Sequence, residues 1–350
     1  MAFSTRILAW YKQHKRALPW RETEDPYVIW LSEIILQQTR VEQGLPYFLR
    51  FVEAYPNVTS FASAEESDIL RLWQGLGYYS RARNMHKAAK KVMEVYEGVF
   101  PTDYQQLLDL PGIGPYTAAA IASFSTNQAH AVLDGNVFRV LSRYFGIDEP
   151  INSGAGKKLF TRLAEKVLDP LAAGEYNQAI MDFGALQCKP KSPNCEQCVL
   201  RLDCRGFVEN RVSMLPVKVR KQKIRDRYFH YFVIQKADYV MMSQRRAGDI
   251  WENLYEFPMI ETAAPVTLPE LMQQEEFQAY FADAELRSLG PAVRHLLSHQ
   301  RIYAHFYVIE WSGQQGVKKS HWDYHLLENL DKLAKHKLIS SFVERYFSAH

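Results

Sequence analysis

The chain has 350 residues, 47% hydrophobic and 23% charged, which is typical of a globular protein with room for two hydrophobic cores. It contains no run of about 18 apolar residues, and charged residues interrupt the N-terminus before a signal-type apolar segment could form. The composition therefore excludes a membrane span and favours a cytoplasmic protein with no membrane partner.

The net charge of +3 is unevenly distributed along the chain. Residues 188–227 hold eleven Lys or Arg against four Asp or Glu, so this segment carries +7 and the rest of the chain −4. Such a segment indicates contact with a polyanion, because neutralising phosphates gives a protein sequence-independent affinity for nucleic acid. A solvated basic linker is the alternative interpretation.

The pattern of apolar residues changes from helical to strand-like along the chain. Up to about residue 187 they recur at helical spacing, and no strand is predicted. After residue 227 the segments YFHYFVIQ, YVMMSQR and RIYAHFYVIEW are rich in aromatic and β-branched residues, which favours strands. We predict a multi-domain protein, with an all-α domain at 1–215, a basic linker at 216–227 and a mixed α/β domain at 228–350.

One carboxylate interrupts an otherwise apolar helical segment near the N-terminus. In PYVIWLSEIILQQTRV the single charge between Pro26 and Thr39 is Glu33. A glutamate on such a helix ordinarily lies on a narrow solvated stripe. If Glu33 faces a cleft instead, desolvation raises its pKa and keeps a proton available near neutral pH, as a general acid requires.

A glycine turn and a helix start follow in the middle of the chain. LPGIGPYT, at 110–117, predicts two helices joined at Gly112 and Gly114. The first N–H groups of the second helix lack intrahelical partners, so the turn is either a phosphate site or a plain helix connection. Further on, Asp134 precedes a new helical pattern and is predicted to be its N-cap.

All four cysteines lie in CKPKSPNCEQCVLRLDC, at Cys188, Cys195, Cys198 and Cys204. Four thiols within one short segment of a chain without an export signal indicate metal ligands rather than disulfides. Both zinc and an iron-sulfur cluster accept four thiolates. Zinc knuckles usually repeat the short Cys-x2-Cys hairpin, which occurs once here.

These motifs together resemble one superfamily of DNA repair enzymes. The glycine turn, followed about seventy residues later by the cysteine segment, is similar to the helix-hairpin-helix and 4Fe-4S loop of the endonuclease III superfamily. LPWR at 18–21, WLSEIILQQTRV at 30–41 and GLGYYSRARN at 75–84 resemble the MutY family of adenine DNA glycosylases. The resemblance implies a helix-hairpin-helix glycosylase domain whose four cysteines hold a 4Fe-4S cluster.

The resemblance also implies roles for individual residues in base excision repair. Glu33 would protonate N7 of an adenine flipped out of DNA, and Asp134 would stabilise the oxocarbenium-like sugar, with Asn136 orienting the pocket. Members that also cut the strand carry a Schiff-base lysine where this chain has Tyr116, so a monofunctional glycosylase is implied. The other implied positions are the adenine pocket (Trp20, Arg21, Leu36, Gln178), the wedge at the opposite base (Gln38, Thr39, Leu76, Tyr78) and the DNA backbone contacts (Gly112, Gly114).

Leu76 and Tyr78 have an ordinary alternative, which is core packing at a helix end.

The C-terminal region resembles the Nudix-like domain with which these enzymes read 8-oxoguanine. Its RHLLSHQR matches the family at Ser298 and His299 but has Leu297 where the family has an aromatic residue. The Arg-Glu and paired glutamates of a Nudix hydrolase are missing from GDIWENLYEFPMIETAAP, so a recognition domain is favoured.

The implied partner is double-stranded DNA with adenine opposite 8-oxoguanine or guanine, bound by a monomer associated with the nucleoid. Three alternatives remain open. The chain could be a glycosylase-lyase like endonuclease III, a non-catalytic DNA-binding module on an iron-sulfur scaffold, or a Nudix hydrolase fused to such a module.

Overall fold

The computed structural model describes residues 2–219, 224–282, 284–311 and 321–347. The chain divides into two compact units. Met1–Ser63 and Asn84–Arg220 form the first, here called the helical unit, and Ala64–Arg83 with Lys221–His350 form the second, the sheet unit. In the described ranges, no helix has the length and apolar character that crossing a bilayer requires.

The first 219 residues form helices and no strand in the part that the structure describes, as the apolar spacing predicts. The α-helices are α1 Phe3–His14, α2 Pro26–Leu36, α3 Val41–Ala54, α4 Val58–Ala62, α5 Glu66–Leu72, α6 Ser80–Val95, α7 Tyr104–Leu108, α8 Pro115–Thr126, α9 Gly135–Phe145, α10 Gly154–Val167, α11 Ala173–Asp182 and α12 Arg205–Val208. Pro19–Arg21 and Arg201–Asp203 form 3-10 turns, and Phe183–Gln187 extends α11 as a π-helix.

Apolar faces of α1, α8, α9, α10 and α11 pack into one core of the helical unit. Its buried members include Ile7, Tyr11, Ala120, Val137, Leu141, Phe160, Tyr176, Ile180 and Phe183. Burial of this surface is the main term that stabilises the arrangement. The core thereby fixes the facing ends of α8, α9 and α11, on which several predicted site residues lie.

Local capping signals set where the site helices begin. At α2, the Asp25 carboxylate accepts the N–H of Tyr27. Asp134 caps α9 as predicted, because its Oδ1 accepts the N–H groups of Asn136 and Val137 at 2.9 and 2.8 Å. Gly114 is the N-cap of α8.

The sheet unit contains two small sheets and several helices. Its strands are β1 Arg225–Val233, β2 Gln235–Lys236, β3 Tyr239–Gln244, β4 Tyr255–Glu256, β5 Met259–Thr262, β6 Ala284–Ser288, β7 Val293–Leu296, β8 Gln300–Trp311 and β9 Trp322–Leu326. Its later helices are α13 Leu268–Met272, α14 Glu275–Phe281 and α15 Lys337–Phe347, with a 3-10 helix at Leu327–Lys332.

A long parallel pair organises the larger sheet, whose order is β5-β1-β8-β6, with β7 also paired to β8. β1 and β8 pair from Arg225 opposite Gln300 to Val233 opposite Val308. The smaller sheet has the order β2-β3-β4, with β9 paired to β3. The aromatic and apolar residues that predicted strands also form the core, which includes Phe232, Met241, Ile260, Phe277, Phe281 and Trp322.

The predicted linker at 216–227 is partly ordered. β1 begins at Arg225, inside the predicted linker. Val217 accepts the Ile151 N–H at 3.0 Å, and Val219 exchanges two hydrogen bonds with the Asn152 side chain. Residues 220–223, the centre of the linker, lie outside the described residues.

Residues 64–83 belong to the sheet unit although they precede most of the helical unit in sequence. The Tyr79 hydroxyl donates to the Lys335 carbonyl at 3.2 Å. Arg83 donates to Glu252 through both terminal nitrogens of its guanidinium, from Nη1 to the carbonyl at 2.9 Å and from Nη2 to the carboxylate at 3.2 Å. Periodicity could not predict this exchange, because these contacts join residues at least 169 positions apart.

Candidate active site

A cavity of about 660 Å³ in the helical unit gathers most of the predicted site residues. It is lined by α2, the loop after α2, and the beginnings of α8 and α9. The predicted residues on its wall are Trp20, Arg21, Glu33, Leu36, Gln38, Thr39, Tyr116, Asp134, Asn136 and Gln178. Such a volume is within the usual range for a small-molecule or nucleobase pocket.

Glu33 faces this cavity, and it does not lie on a solvated stripe of α2. Its residue surface is 7% exposed, and its Oε2 accepts the Tyr116 hydroxyl at 2.7 Å. Burial raises the pKa of Glu33 to about 7, an effect that the Tyr116 hydrogen bond and the charge of Arg21 oppose and the charge of Asp134 reinforces. This carboxyl group can therefore keep a proton much nearer to neutral pH than an ordinary glutamate can.

Tyr116 is fixed as a hydrogen-bond donor. Burial, followed by the charges of Glu33 and Asp134, raises its pKa well above the usual value, so the phenol stays protonated. It lies in the first turn of α8, two positions after the N-cap Gly114. A phenol at this place has no amine with which to form an imine.

Asp134 is the second carboxylate of the cavity, and its two oxygens have different partners. Oδ1 caps α9, and Oδ2 accepts the Asn136 amide at 2.8 Å. Burial raises the pKa of Asp134, while hydrogen bonds from Val137 and Asn136 lower it. Arg139 in turn donates to the Asn136 side-chain oxygen at 2.8 Å, so the amide that holds Asp134 is itself oriented.

Three further residues support the cavity and were not found from the sequence. Tyr11 donates its hydroxyl to Gln178 Oε1 at 2.9 Å, and Asp182 binds both Arg16 and Arg21. Asp182 is not marked in the sequence as Glu33 is, because α11 also carries Glu175 and other polar residues, and its partners lie 161 and 166 positions away. No local pattern gives such a pairing.

A second cavity, of about 530 Å³, lies in the sheet unit. Leu76, Tyr78, Ser298 and His299 all contribute to its wall. Leu76 is buried, whereas Tyr78 is 44% exposed and has a positive φ of 49°. Non-glycine residues with positive φ are strained and concentrate at functional sites. The hydroxyl of Ser298 lies 2.9 Å from the His299 Nδ1.

Leu297, which replaces the family's aromatic residue, donates its N–H to the Gln300 carbonyl at 2.9 Å and so closes the turn before β8. The side chain also lines the second cavity. A backbone hydrogen bond thus helps to close this turn with leucine at position 297.

The four cysteines line one small cavity beside α9, and none forms a disulfide. In the described residues, no three His, Cys, Asp or Glu side chains are grouped so that they could hold a metal ion. Arg143 donates to the Cys188 sulfur at 3.5 Å and to the Lys189 carbonyl at 2.7 Å. This guanidinium both braces the loop and places positive charge beside the Cys188 sulfur.

The glycine hairpin joins α7 to α8 as predicted. Gly112 has a φ of +80°, which favours glycine, and a Cβ there would lie 2.8 Å from the Asn84 Cβ. A Cβ on Gly114 would have no neighbour within 4 Å, so its face is open.

Comparison with known proteins agrees with this geometry. Residues 31–169 match the HhH-GPD superfamily of base excision DNA repair proteins, and residues 230–345 match the NUDIX domain. An adenine DNA glycosylase of Buchnera aphidicola subsp. Baizongia pistaciae (strain Bp) is 38% identical over 74% of this chain and 74% of its own. One from Rattus norvegicus is 31% identical over 89% of this chain and 71% of its own.

Solved structures agree on the fold of the helical part. A thermostable thymine-DNA glycosylase superposes with a TM-score of 0.55 at 31% identity, over 59% of this chain and 95% of that one. A non-covalent endonuclease III–DNA complex gives 0.51 at 21% identity, over 60% and 99%, which shows the fold alone.

The protein is thus a helix-hairpin-helix DNA glycosylase of base excision repair with a C-terminal Nudix domain. More specifically, the chain belongs to the adenine DNA glycosylase family. This confirms the family and the enzyme class that the sequence motifs indicated, and DNA is its macromolecular partner.

Proposed function

We propose that the enzyme removes adenine paired with 8-oxoguanine or guanine by hydrolysing its N-glycosidic bond, and that it leaves the DNA strand intact. The proposal rests on one contact, the 2.7 Å hydrogen bond from Tyr116 to a buried Glu33. That contact places a carboxyl group of raised pKa in the pocket, and it fills with a phenol the position from which a lysine would attack the sugar.

The reaction begins when adenine leaves the DNA stack and enters the cavity between Trp20, Arg21, Leu36 and Gln178. Glu33, with a pKa of about 7, gives its proton to N7, which turns the base into a better leaving group. General acid catalysis of this kind contributes about 10²–10⁴-fold to a rate.

Asp134 then acts on the sugar as the glycosidic bond breaks. Its carboxylate, held by the α9 N-terminus and Asn136, stabilises an oxocarbenium-like species electrostatically or by transient capture. Water completes the hydrolysis, which parallels the two-carboxylate chemistry of retaining glycosidases. The two carboxylates thus have separate tasks, as their different hydrogen-bond partners allow.

Recognition of the base opposite adenine is assigned to the two groups of wedge residues and to the Nudix domain. Gln38 and Thr39 follow α2 on the wall of the first cavity, and Gln38 has a φ of +57°. Leu76 and Tyr78 line the second cavity with Ser298 and His299. We assign the oxidised base to the Ser298 hydroxyl, which can donate or accept a hydrogen bond.

Backbone contacts are assigned to the glycine hairpin and the cysteine loop. The open face of Gly114 lets a phosphate approach the N-terminus of α8. Cys188, Cys195, Cys198 and Cys204 would hold a 4Fe-4S cluster, which braces the basic loop around them.

The enzyme is proposed to work as a monomer beside the chromosome, in the cytoplasm, where its double-stranded substrate lies. Its functional domains are proposed at 1–215 and 228–350, joined by the basic segment 216–227. The family matches at 31–169 and 230–345 support this division.

The decisive test uses a duplex with one adenine opposite 8-oxoguanine beside duplexes containing A:T, G:T and thymine glycol, scored for strand breaks with and without alkali. We expect breaks in the 8-oxoguanine duplex alone, and there only after alkali. Breaks without alkali would establish a lyase, and breaks at thymine glycol would indicate the endonuclease III alternative. Cleavage of the G:T duplex would instead indicate the specificity of the thymine-DNA glycosylase that shares this fold.

The role of the acid is tested in the same assay with Glu33→Gln and the matched exposed control Glu94→Gln. We expect Glu33→Gln to lose base removal by about 10²-fold or more while it still binds the duplex. The control should match the wild type. Turnover retained in Glu33→Gln would assign the proton to another group.

A further inference from the structure

A fully buried carboxylate lies immediately behind the adenine pocket and is not itself part of its wall. Asp182, the last residue of α11, has a side chain that is 0% exposed. Its two oxygens bind two arginines: Arg16, which precedes the 3-10 turn Pro19–Arg21, and Arg21, which is the last residue of that turn. Both arginines line the pocket that holds Glu33.

The geometry is a double fork. Arg16 donates from Nε at 2.8 Å and from Nη2 at 2.6 Å, both to Asp182 Oδ1. Arg21 donates from Nη1 to Oδ2 at 2.6 Å and from Nη2 to Oδ1 at 2.8 Å. The Arg16 backbone N–H reaches Oδ2 at 3.3 Å. Bidentate contacts of this kind fix the plane as well as the position of a guanidinium.

The charges do not balance, because one carboxylate faces two guanidinium groups. Burial opposes ionisation of Asp182, but the hydrogen bonds from Arg21 and Arg16 outweigh it and lower the pKa of Asp182. A net positive charge therefore remains at the edge of the pocket. Arg21 is the more buried of the two cations, with 6% of its side chain exposed against 30% for Arg16.

Arg21 also connects two parts of the wall. Its guanidinium carbon lies 5.9 Å from the Tyr11 ring centre, and the Tyr11 hydroxyl donates to Gln178 Oε1. Since Gln178 Oε1 is occupied by Tyr11, its Nε2 is left to donate. If Asp182 released Arg21, both the cation and the neighbouring amide would lose their fixed orientation.

From this geometry we infer that Asp182 is a positioning residue for base excision. It orients Arg21 toward the flipped base, and its negative charge partly compensates the effect of the Arg21 charge on Glu33. The inference rests on the proposed function, since it concerns the same pocket. A carboxylate kept only for stability would be an inefficient choice, because apolar residues of similar volume usually serve as well as a buried ion pair.

The electrostatic consequence can be read from the groups that face Glu33, namely Tyr116, Asp134 and Arg21. Arg21 lowers the pKa of Glu33, so removal of the compensating Asp182 charge strengthens this lowering. Less Glu33 is then protonated near neutral pH. The rate of base removal should fall at a lower pH in the variant than in the wild type.

The test compares full-length Asp182→Asn with wild type and with Asp148→Asn, which breaks an exposed Asp–Arg pair in the same unit. Single-turnover removal of adenine opposite 8-oxoguanine should fall about ten- to a hundredfold, the usual cost of misplaced groups. Its alkaline limb should shift to lower pH. Asp148→Asn should change neither.

Binding separates positioning from folding. With a duplex carrying 2′-fluoro-deoxyadenosine, which fills the pocket but resists hydrolysis, Asp182→Asn should bind several-fold more weakly than wild type. With an abasic analogue, which leaves the pocket empty, its affinity should be unchanged. Asp182→Glu keeps the charge on a longer side chain, so it should restore part of the rate and the wild-type pH profile. If Asp182→Asn does not fold, Asp182→Glu takes its place, with a reduced rate and an unshifted pH profile as the expected result.

Two results would overturn the inference. The first is an equal loss of affinity for both duplexes with an unshifted pH profile, which would make Asp182 a scaffold residue only. The second is a wild-type rate in Asp182→Asn. If the wild-type enzyme does not remove adenine opposite 8-oxoguanine, the proposed function itself is wrong. This failure is seen with the wild type alone, before any variant is compared.

Discussion

At Glu33, the burial that raises the pKa of the side chain also lowers the stability of the fold. Its neighbours on α2 are buried apolar side chains, so its charge is removed from water when the chain folds. The pKa rises from an ordinary 4.5 to about 7. In the unfolded chain the proton leaves first, so folding becomes less favourable as the pH rises through this window. The raised pKa on which the proposed acid catalysis depends thus weakens the fold in neutral solution.

The stability of Glu33→Gln should therefore depend on pH in a specific way. Each pH unit between about 4.5 and 7 costs the wild type about 1.4 kcal/mol, or about 3 kcal/mol across the window. A neutral amide avoids this cost, so the variant should be more stable than wild type at pH 8 and nearly equal to it at pH 4.5. Denaturant unfolding at the two pH values measures the difference.

The exposed Glu94→Gln serves as the comparison, because its side chain keeps its hydration on folding. It should track the wild type at both pH values. A Glu33→Gln variant that is less stable than wild type at pH 8 would show that the carboxylate gains more from Tyr116 and Arg21 than it loses by burial.

Individual site residues could be predicted where the neighbouring sequence makes them unusual. Glu33 is the single charge in an apolar segment, and Asp134 stands directly before a helix, so both were identified and lie on one cavity wall. Asp182 and Tyr11 have no such mark, because their importance comes from partners more than 160 positions away. Side-chain pairing at that distance is decided by tertiary packing.

At the scale of elements, the helix-hairpin-helix combines two glycines with different constraints. Gly112 is required by the chain itself, because its φ is positive and Asn84 occupies the space of a Cβ. Gly114 is extended, with φ of −102° and ψ of 179°, a conformation that any residue adopts. The protein does not need glycine there, so a close ligand is the better reason for it.

The two positions form a matched pair for substitution by alanine. Gly112→Ala should lower the free energy of unfolding by about 1–3 kcal/mol, because alanine is strained at positive φ and meets Asn84. Gly114→Ala should keep wild-type stability but bind duplex DNA more weakly, since its methyl group obstructs the phosphate. Thermal unfolding and a DNA-binding titration separate the two effects. Unchanged DNA affinity in Gly114→Ala would place the phosphate elsewhere.

Helices and strands were the most predictable elements, and their connections the least. Apolar spacing correctly separated the helical region from the strands after residue 227. It missed that β1 begins at Arg225, because the charges of that segment argue against a buried strand. Arg227 is nevertheless buried, with Asp249 and Glu261 as partners at 2.6 Å. Charged residues enter a strand when tertiary partners compensate them.

For the whole molecule, the proposed function gives the sheet unit, through its second cavity, a role in choosing the substrate. Ser298→Ala removes a hydroxyl from its wall without changing the course of β8. Loss of one hydrogen bond costs about 0.5–1.5 kcal/mol, so the preference for adenine opposite 8-oxoguanine over adenine opposite guanine should fall about two- to twelvefold. Single-turnover rates on the two duplexes measure this ratio.

The exposed Ser288→Ala, which does not touch this cavity, is the matched control and should keep the wild-type ratio. An equal slowing on both duplexes by Ser298→Ala would mean that the hydroxyl supports the fold of the loop rather than the choice of base.

Because of the path of the chain, some residues of the sheet unit are synthesised long before their hydrogen-bond partners. It passes from one unit to the other after Ser63, after Arg83 and after Arg220. Tyr79 and Arg83 leave the ribosome long before Lys335 and Glu252, which supply their hydrogen-bond acceptors, have been translated. At about 5–20 residues per second this wait lasts roughly ten to fifty seconds. Until then, residues 64–83 are without these hydrogen bonds, so we expect this segment to complete its folding only after residues 252–335 have been translated.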